Sequence, residues 1–368
     1  MKRKDTKQKI DIIADIWNNY ILEYRFCNSR IKFTEDVQSN YFGEILNCFS
    51  DTDNIIELYS KDNGEIDSFA ATISFLQAIY IQQDFIEELL LIFKCKISKG
   101  DLKSDRDYSI NREIRNELVG HPIRKLADRS SVLSSTLFHF RYSNSERIAY
   151  LRYHRDNDYK QELISHAKSK IVQRHNAFLN RYLDKILDKL NSILGQFSKK
   201  LIEIEKMIEC TTLSNILKVI SNSYEHFYTL DHLFDPGYLN TINKKINEHL
   251  RYKHAIDYFF TSLKSSLKEN KRLIHEYKFP PPPFNLESLP KKIIVKSSSK
   301  KKVSYTYEMS KLSDKRSIRD FQFFSELLKT KCKNKNSVVS ELSNMETNFH
   351  DHIEYYCSYT LIKKILKY

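Results

Sequence analysis

The sequence predicts a predominantly all-α protein, and three observations carry that reading. Gly occurs 6 times and Pro 7 times in 368 residues, so the residues that punctuate tight turns are scarce. Leu, Ile, Lys, Asn and Glu are plentiful instead, which suits long helices and few hairpins. Apolar side chains also recur every three or four positions over long stretches, the spacing of one helix face.

In chain order, Ile10, Ile13, Trp17, Tyr20, Ile21 and Tyr24 place an amphipathic helix at 6–27. A second helical region covers about 36–60 and closes at the turn Asp62-Asn63-Gly64. From Glu65 to Lys96, the stripe Phe69, Ile73, Leu76, Ile79, Tyr80, Phe85, Leu89, Ile92 and Phe93 marks a long helix that stops near Gly100. Ser104 with Asp107 has the form of a capping box. It opens a short helix whose buried stripe is Ile110, Ile114 and Leu118. Between Ser135 and His154, the runs STLFHFRY and RIAYLRYH alternate apolar with polar residues around SNSE, which predicts a β-hairpin.

Residues 158–209 read as one long helix or two stacked ones, striped from Ile171 through Phe178, Leu190 and Phe197 to Ile208, with Gly195 the one expected break. Further helices are expected over 213–230 and 240–277. Five of the seven prolines fall between 280 and 290, beginning with FPPPPF at 279–284, and consecutive prolines form a stiff extended spacer. Beyond it, KKIIVK and KKKVSYTYEM bracket SSS as a lysine-rich hairpin, and helices at about 315–331 and 337–367 close the chain. Three domains follow: a helical bundle with a β-hairpin at 1–157, a long-helix region at 158–278, and a basic domain at 284–368.

Lys plus Arg outnumber Asp plus Glu by 60 to 47, a formal net charge of +13. That surplus suits a nucleic-acid partner, although a generally soluble basic protein would carry it too. The six cysteines are scattered and form no CxxC pair, so neither a zinc ribbon nor a disulfide framework is expected. Reduced thiols in a cytoplasmic protein are the plain reading. The longest apolar stretch, Leu89 to Phe93, is too short to span a bilayer, so no membrane partner is expected. MKRKDTKQKI runs into DIIADIW, which carries acids where a signal peptide needs an apolar core. No Walker loop, GxGxxG or GxSxG is present, and no cofactor or metal is expected.

One short stretch concentrates chemistry: REIRNELVGHP at 112–122. Spacing alone is weak, since 18 arginines and 12 histidines in 368 positions give about two Arg-to-His pairs with four to six residues between them by chance. Two exist. Arg147 and His154 sit at opposite ends of the expected strand, roughly 23 Å apart at ~3.3 Å per residue, too far to act together. Arg115 and His121 differ, because Arg115 lies one turn before a helix end. Gly120 is expected to take the left-handed C-terminal conformation and Pro122 to stop the helix, turning His121 back over Arg115 and Asn116. Histidine can take a proton from a hydroxyl or give one to a leaving oxygen near neutral pH. Arginine offers a charged planar fork to phosphate oxygens. RNA carries its own nucleophile, the 2′-hydroxyl, so this pair comes close to a minimal ribonuclease.

The stretch Arg115-Asn116-Glu117-Leu118-Val119-Gly120-His121 resembles the Arg-x(4–6)-His signature of the HEPN superfamily, including the polar Asn after the Arg. The resemblance covers at most residues 1 to about 160. It implies a small all-helical bundle and a metal-independent endoribonuclease of toxin–antitoxin, phage-defence or RNA-processing systems. It also implies a homodimer whose two motifs face one cleft, and an antitoxin or regulatory protein as a further partner. Arg115 and His121 are then catalytic, Asn116 orients, and Glu117 is an auxiliary. RNA contacts are expected at Arg112 and Arg124, which flank the motif, and at Lys300, Lys301 and Lys302. The plainer alternative is that Gly120-His121-Pro122 only stops a helix while Arg115 pairs with Glu117 or Asp107. A non-catalytic helical scaffold and a basic RNA-binding protein also stay open. His350, Glu354 and Cys357 share a helix face, but they make an incomplete metal site and read as a packed face.

Overall fold

The computed structural model describes residues 2–60, 69–98, 100–127, 131–139, 143–144, 146–223, 235–278, 304–332 and 335–367. Among them the chain is predominantly helical, with one small antiparallel sheet. The turn expected at Asp62–Gly64, the polyproline spacer, the lysine-rich hairpin and Lys300–Lys302 lie outside the described residues. Contacts gather into two compact units: Met1–Leu22 with Cys27–Leu194, and Glu23–Phe26 with Gly195–Tyr368. No helix among the described residues is long and apolar enough to cross a membrane. All six cysteines are free; Cys48 and Cys210 are exposed and the other four buried.

In the first unit, α1 (Lys2–Ile16) runs into a π-turn at Trp17–Ile21; the short α2 (Arg25–Asn28) that follows straddles the division between the units. A second π-turn at Val37–Tyr41 leads into α3 (Phe42–Ser60), and α4 (Phe69–Ile92) packs beside α3. Trp17 stacks on Phe42 at 3.9 Å between ring centroids, and Tyr59 on Phe75 at 4.7 Å. These aromatic pairs stabilise the helix contacts beyond their area, by about 0.5–1.5 kcal/mol each. Helix α5 (Arg106–Arg115) is capped by Asp105, whose Oδ1 accepts from the amides of Asp107 and Tyr108 at 2.9 and 3.2 Å. The cap is therefore not the Ser104–Asp107 box: Ser104 belongs to the 3₁₀ turn before it, and only an extended-backbone residue directly ahead of the helix can reach those amides.

Four strands follow, β1 (Ile123–Lys125), β2 (Val132–Phe138), β3 (Arg147–His154) and β4 (Glu162–Ala167), in the order β1-β2-β3-β4. The expected hairpin is β2–β3, with Leu137 opposite Leu151. Two strands were not foreseen. The helix expected from 158 begins only at Lys168, because ELISHA alternates half-buried with exposed side chains and pairs with β3. Helix α6 (Lys168–Cys210) then runs unbroken through Gly195. A helical glycine costs only about 1 kcal/mol, and Leu194, Phe197 and Leu201 are fully buried around it. The inner sheet face, with Ile148 and Tyr150, joins Ile114 and Leu118 of the motif segment, Phe75 and Ile79 of α4, and Ile171 of α6 in one core.

The second unit adds α7 (Leu213–Ser223), α8 (Pro236–Lys244), α9 (Leu250–Lys278), α10 (Thr306–Asp314), α11 (Ile318–Lys331), α12 (Asn336–Thr347) and α13 (His352–Leu366). Tyr355 and Tyr359 of α13 donate to the carbonyls of Leu312 and Met309 of α10. Glu354 does not face a metal-like cluster. It accepts from Tyr252 at 2.5 Å, Lys245 at 3.0 Å and Arg251 at 3.3 Å, and so neutralises the cation that caps α8 and one in the first turn of α9. No group of three or more His, Cys, Asp or Glu able to hold a metal occurs among the described residues.

Candidate functional site

The motif helix does not end as a left-handed cap. Residues Asn116–Gly120 form a π-turn closed by the His121 amide, which donates to the Asn116 carbonyl at 2.7 Å. Gly100 is the one described glycine with positive φ. Gly120 is required for space instead: a Cβ there would stand 2.5 Å from Arg115 Nη1 and 3.3 Å from its Cζ. The Arg115 guanidinium therefore lies directly against residue 120, the neighbour of His121. Pro122 follows at once, and its carbonyl accepts from the Thr136 amide at 2.8 Å. Thr136 Oγ1 also donates to the Glu117 carbonyl at 2.5 Å, so β2 holds the whole corner.

Arg115 is gripped by neutral groups. Its Nε and Nη2 both donate to Gln77 Oε1, at 3.2 and 3.0 Å, and Nη1 donates to Asn116 Oδ1 at 3.1 Å. Its Cζ lies 4.1 Å from the centre of the Tyr80 ring. Of the five guanidinium N–H groups, three are used, leaving one on each terminal nitrogen. No carboxylate among the described residues pairs with it: Glu117 and Asp107, the two considered from sequence, bond elsewhere. Asp107 pairs with Arg181 at 2.9 Å. The other arginines nearby are neutralised, Arg112 by Asp84 at 2.7 Å and Arg124 by Glu113 at 2.6 Å. Arg115 thus keeps an uncompensated positive charge in a fixed orientation. His121 is exposed, and its imidazole makes no hydrogen bond among the described residues.

No family model, curated protein or solved structure matches this chain.

The structure sorts the remaining expected residues. Asn116 holds Arg115, an orienting place. Glu117 faces inward at 8% exposure, its Oε2 accepting from the Tyr150 hydroxyl at 2.6 Å and its Oε1 from Arg152 at 3.3 Å. That makes it an anchor between motif and sheet rather than a group open to substrate. Burial and the Glu117 carboxylate push the Tyr150 hydroxyl far above its ordinary range, so it stays a donor. Arg112 stacks 4.0 Å from the same Tyr80 ring and is held by Asp84, so a direct RNA contact would have to break an ion pair; the same applies to Arg124. Gln77 and Tyr80 of α4 escaped the sequence reading, Tyr80 because it fits the apolar stripe. The one signal was an unusual amide content, Gln77, Gln82 and Gln83, within a largely apolar helix.

Two expected outcomes arise here. Gly120→Ala should leave the fold nearly intact, because the atom it displaces is at the far end of the long Arg115 side chain, which can swing away by giving up its bonds to Gln77 and Asn116, yet it should reduce any activity that uses that guanidinium by at least about 10-fold. Far-ultraviolet dichroism and an activity assay on the same sample separate the two. The second concerns His166, whose Nε2 lies 3.3 Å from the Tyr150 hydroxyl. Burial, with the charge of Arg174 adding to it and Glu117 opposing, holds its pKa below the ordinary 6.5. Below about pH 6.5 the unfolded chain then takes up a proton that the folded chain refuses, so stability falls as pH drops. Urea midpoints at pH 7.5 and 5.5 should differ less in His166→Gln than in the parent.

Proposed function

We propose that the Arg115–His121 corner is a metal-independent endoribonuclease site of HEPN type, acting on single-stranded or tRNA-like RNA. His121 either takes the proton of the attacking 2′-hydroxyl or gives one to the departing 5′-oxygen. A bond forms between the 2′-oxygen and phosphorus, the bond to the 5′-oxygen breaks, and the products are a 2′,3′-cyclic phosphate and a 5′-hydroxyl. Arg115 presents its two unused N–H groups to the phosphate and meets the added negative charge of the transition state. The observation that carries this reading is the guanidinium itself: locked by two amides and a ring against Gly120, it lacks an acidic partner among the described residues, and the next residue, His121, is exposed. A structural arginine is ordinarily neutralised, as its neighbours are.

A homodimer belongs to the reading. Leu137, Leu151 and Leu163 stand in one row across β2, β3 and β4. On the outer face Leu137 and Leu163 are 61% and 46% exposed, and Ile123, two residues beyond His121, is 62% exposed. An apolar face of that kind beside the motif fits a second copy. A toxin–antitoxin or phage-defence role, with an antitoxin or regulatory protein as partner, comes from the resemblance alone. The test is cleavage of end-labelled single-stranded RNA by the full chain in excess chelator, with the product ends identified. Cyclic-phosphate ends support the proposal; intact RNA across a range of pH and salt would leave a non-catalytic scaffold.

A further inference from the structure

The second unit carries a surface that the ribonuclease reading does not use. On α10, Tyr307 and Lys311 are one turn apart, and on α11 the same holds for Arg319, Phe323 and Leu327 in succession. Tyr307 and Phe323 are each 61% exposed. The half-buried Phe324 ring joins them edge-on, 5.7 Å from Tyr307 and 5.1 Å from Phe323. Two solvent-facing rings are thus held by a third rather than left loose. Lys311 Nζ lies 5.8 Å from the centre of the Tyr307 ring. Neither Lys311 nor Arg319 forms an ion pair among the described residues: Glu308, Asp314 and Glu326 pair with Lys331, Arg316 and Lys329, and the fourth acid of these helices, Asp320, forms no ion pair among them.

The sequence around this surface says what charge its partner carries. Residues 291–335 contain 14 Lys and Arg against 4 Asp and Glu, ten of the chain's thirteen surplus positive charges in 45 positions. Exposed rings beside unneutralised cations suit a chain of alternating planar bases and phosphates. Each base stacks on a ring face, and each phosphate meets a cation. A duplex keeps its bases stacked inside and cannot use the rings. We propose that the α10–α11 face is a second, non-catalytic binding site for single-stranded nucleic acid, with Tyr307 and Phe323 as the stacking platform and Lys311 and Arg319 as phosphate contacts. This does not depend on the Arg115–His121 reading.

The test uses the full chain carrying His121→Ala, so that cleavage by the first unit cannot interfere, and fluorescence anisotropy of a labelled 15-nucleotide oligouridine. Tyr307→Ala with Phe323→Ala is expected to weaken binding at least about 30-fold, from stacking worth ~1–3 kcal/mol for each of two bases. Phe323→Leu, which keeps bulk but loses the ring face, should weaken it as well. Lys311→Gln with Arg319→Gln should weaken binding and make the slope of log affinity against log salt shallower by about 1.4. A 15-base-pair duplex should bind more weakly than the single strand. The proposal is overturned if the ring variants bind like the parent, or if duplex and strand bind alike. It also fails if the ring variants lose self-association in sedimentation with RNA affinity unchanged, which would make the face a protein contact. A fall of more than about 5 °C in their melting temperature would likewise overturn it, by showing that the rings are packed rather than free.

Discussion

His121→Ala is expected to slow single-stranded RNA cleavage by about 10²- to 10⁴-fold, the usual worth of a positioned proton-transfer group. Stability should not change, since the imidazole is exposed and unbonded among the described residues. Arg115→Ala should cost about 10²- to 10³-fold, as one charged donor removed from a developing oxyanion does. It should also cost roughly 1 kcal/mol of stability, because the bonds to Gln77 and Asn116 and the contact with Tyr80 are lost. Arg115→Lys retains the charge but cannot span Gln77 and Asn116 with a planar fork, so it should recover little. If the two residues act on one phosphate, the double variant is barely slower than the worse single one. Single-turnover rates in chelator measure all four, and a His121→Ala rate equal to the parent's would remove the catalytic assignment.

Glu117→Ala should do the opposite: unfold more easily, by about 3 kcal/mol, because Arg152 and the Tyr150 hydroxyl lose a buried charged partner. Arg152 retains Glu162 at 3.0 Å, which limits the loss. Tyr150→Phe should cost less, about 1–2 kcal/mol, since it deletes one hydrogen bond yet keeps the ring in the core. Urea midpoints read both. A Glu117→Ala protein with unaltered stability and lost cleavage would instead return Glu117 to the reaction.

Much of this was legible before any coordinates. The long stripes of α1, α4 and α6 and the β2–β3 hairpin follow from periodicity, because burying one face needs only the right spacing along one segment. The buried side of the motif helix, Ile114 and Leu118, was legible for the same reason. β4 was not, since ELISHA is six residues long and runs directly into a helix, so local pattern could not separate the two. Gly120 was singled out for the wrong cause. A glycine before a proline reads as a turn residue, whereas here it makes room for a side chain five positions earlier.

From its residues alone, the chain declares itself helical and basic, with an arginine and a histidine six positions apart at a helix end, because composition and spacing are properties of neighbours along the chain. Which of those groups stays uncompensated was decided only by folding. Glu117 has the same local claim on Arg115 as Asn116 does, yet β3 supplies Tyr150 and Arg152 and draws the carboxylate inward, while α4 brings Gln77 and Tyr80 to the guanidinium. Partners that come from 30 or more positions away depend on how elements pack, and local pattern carries no trace of them.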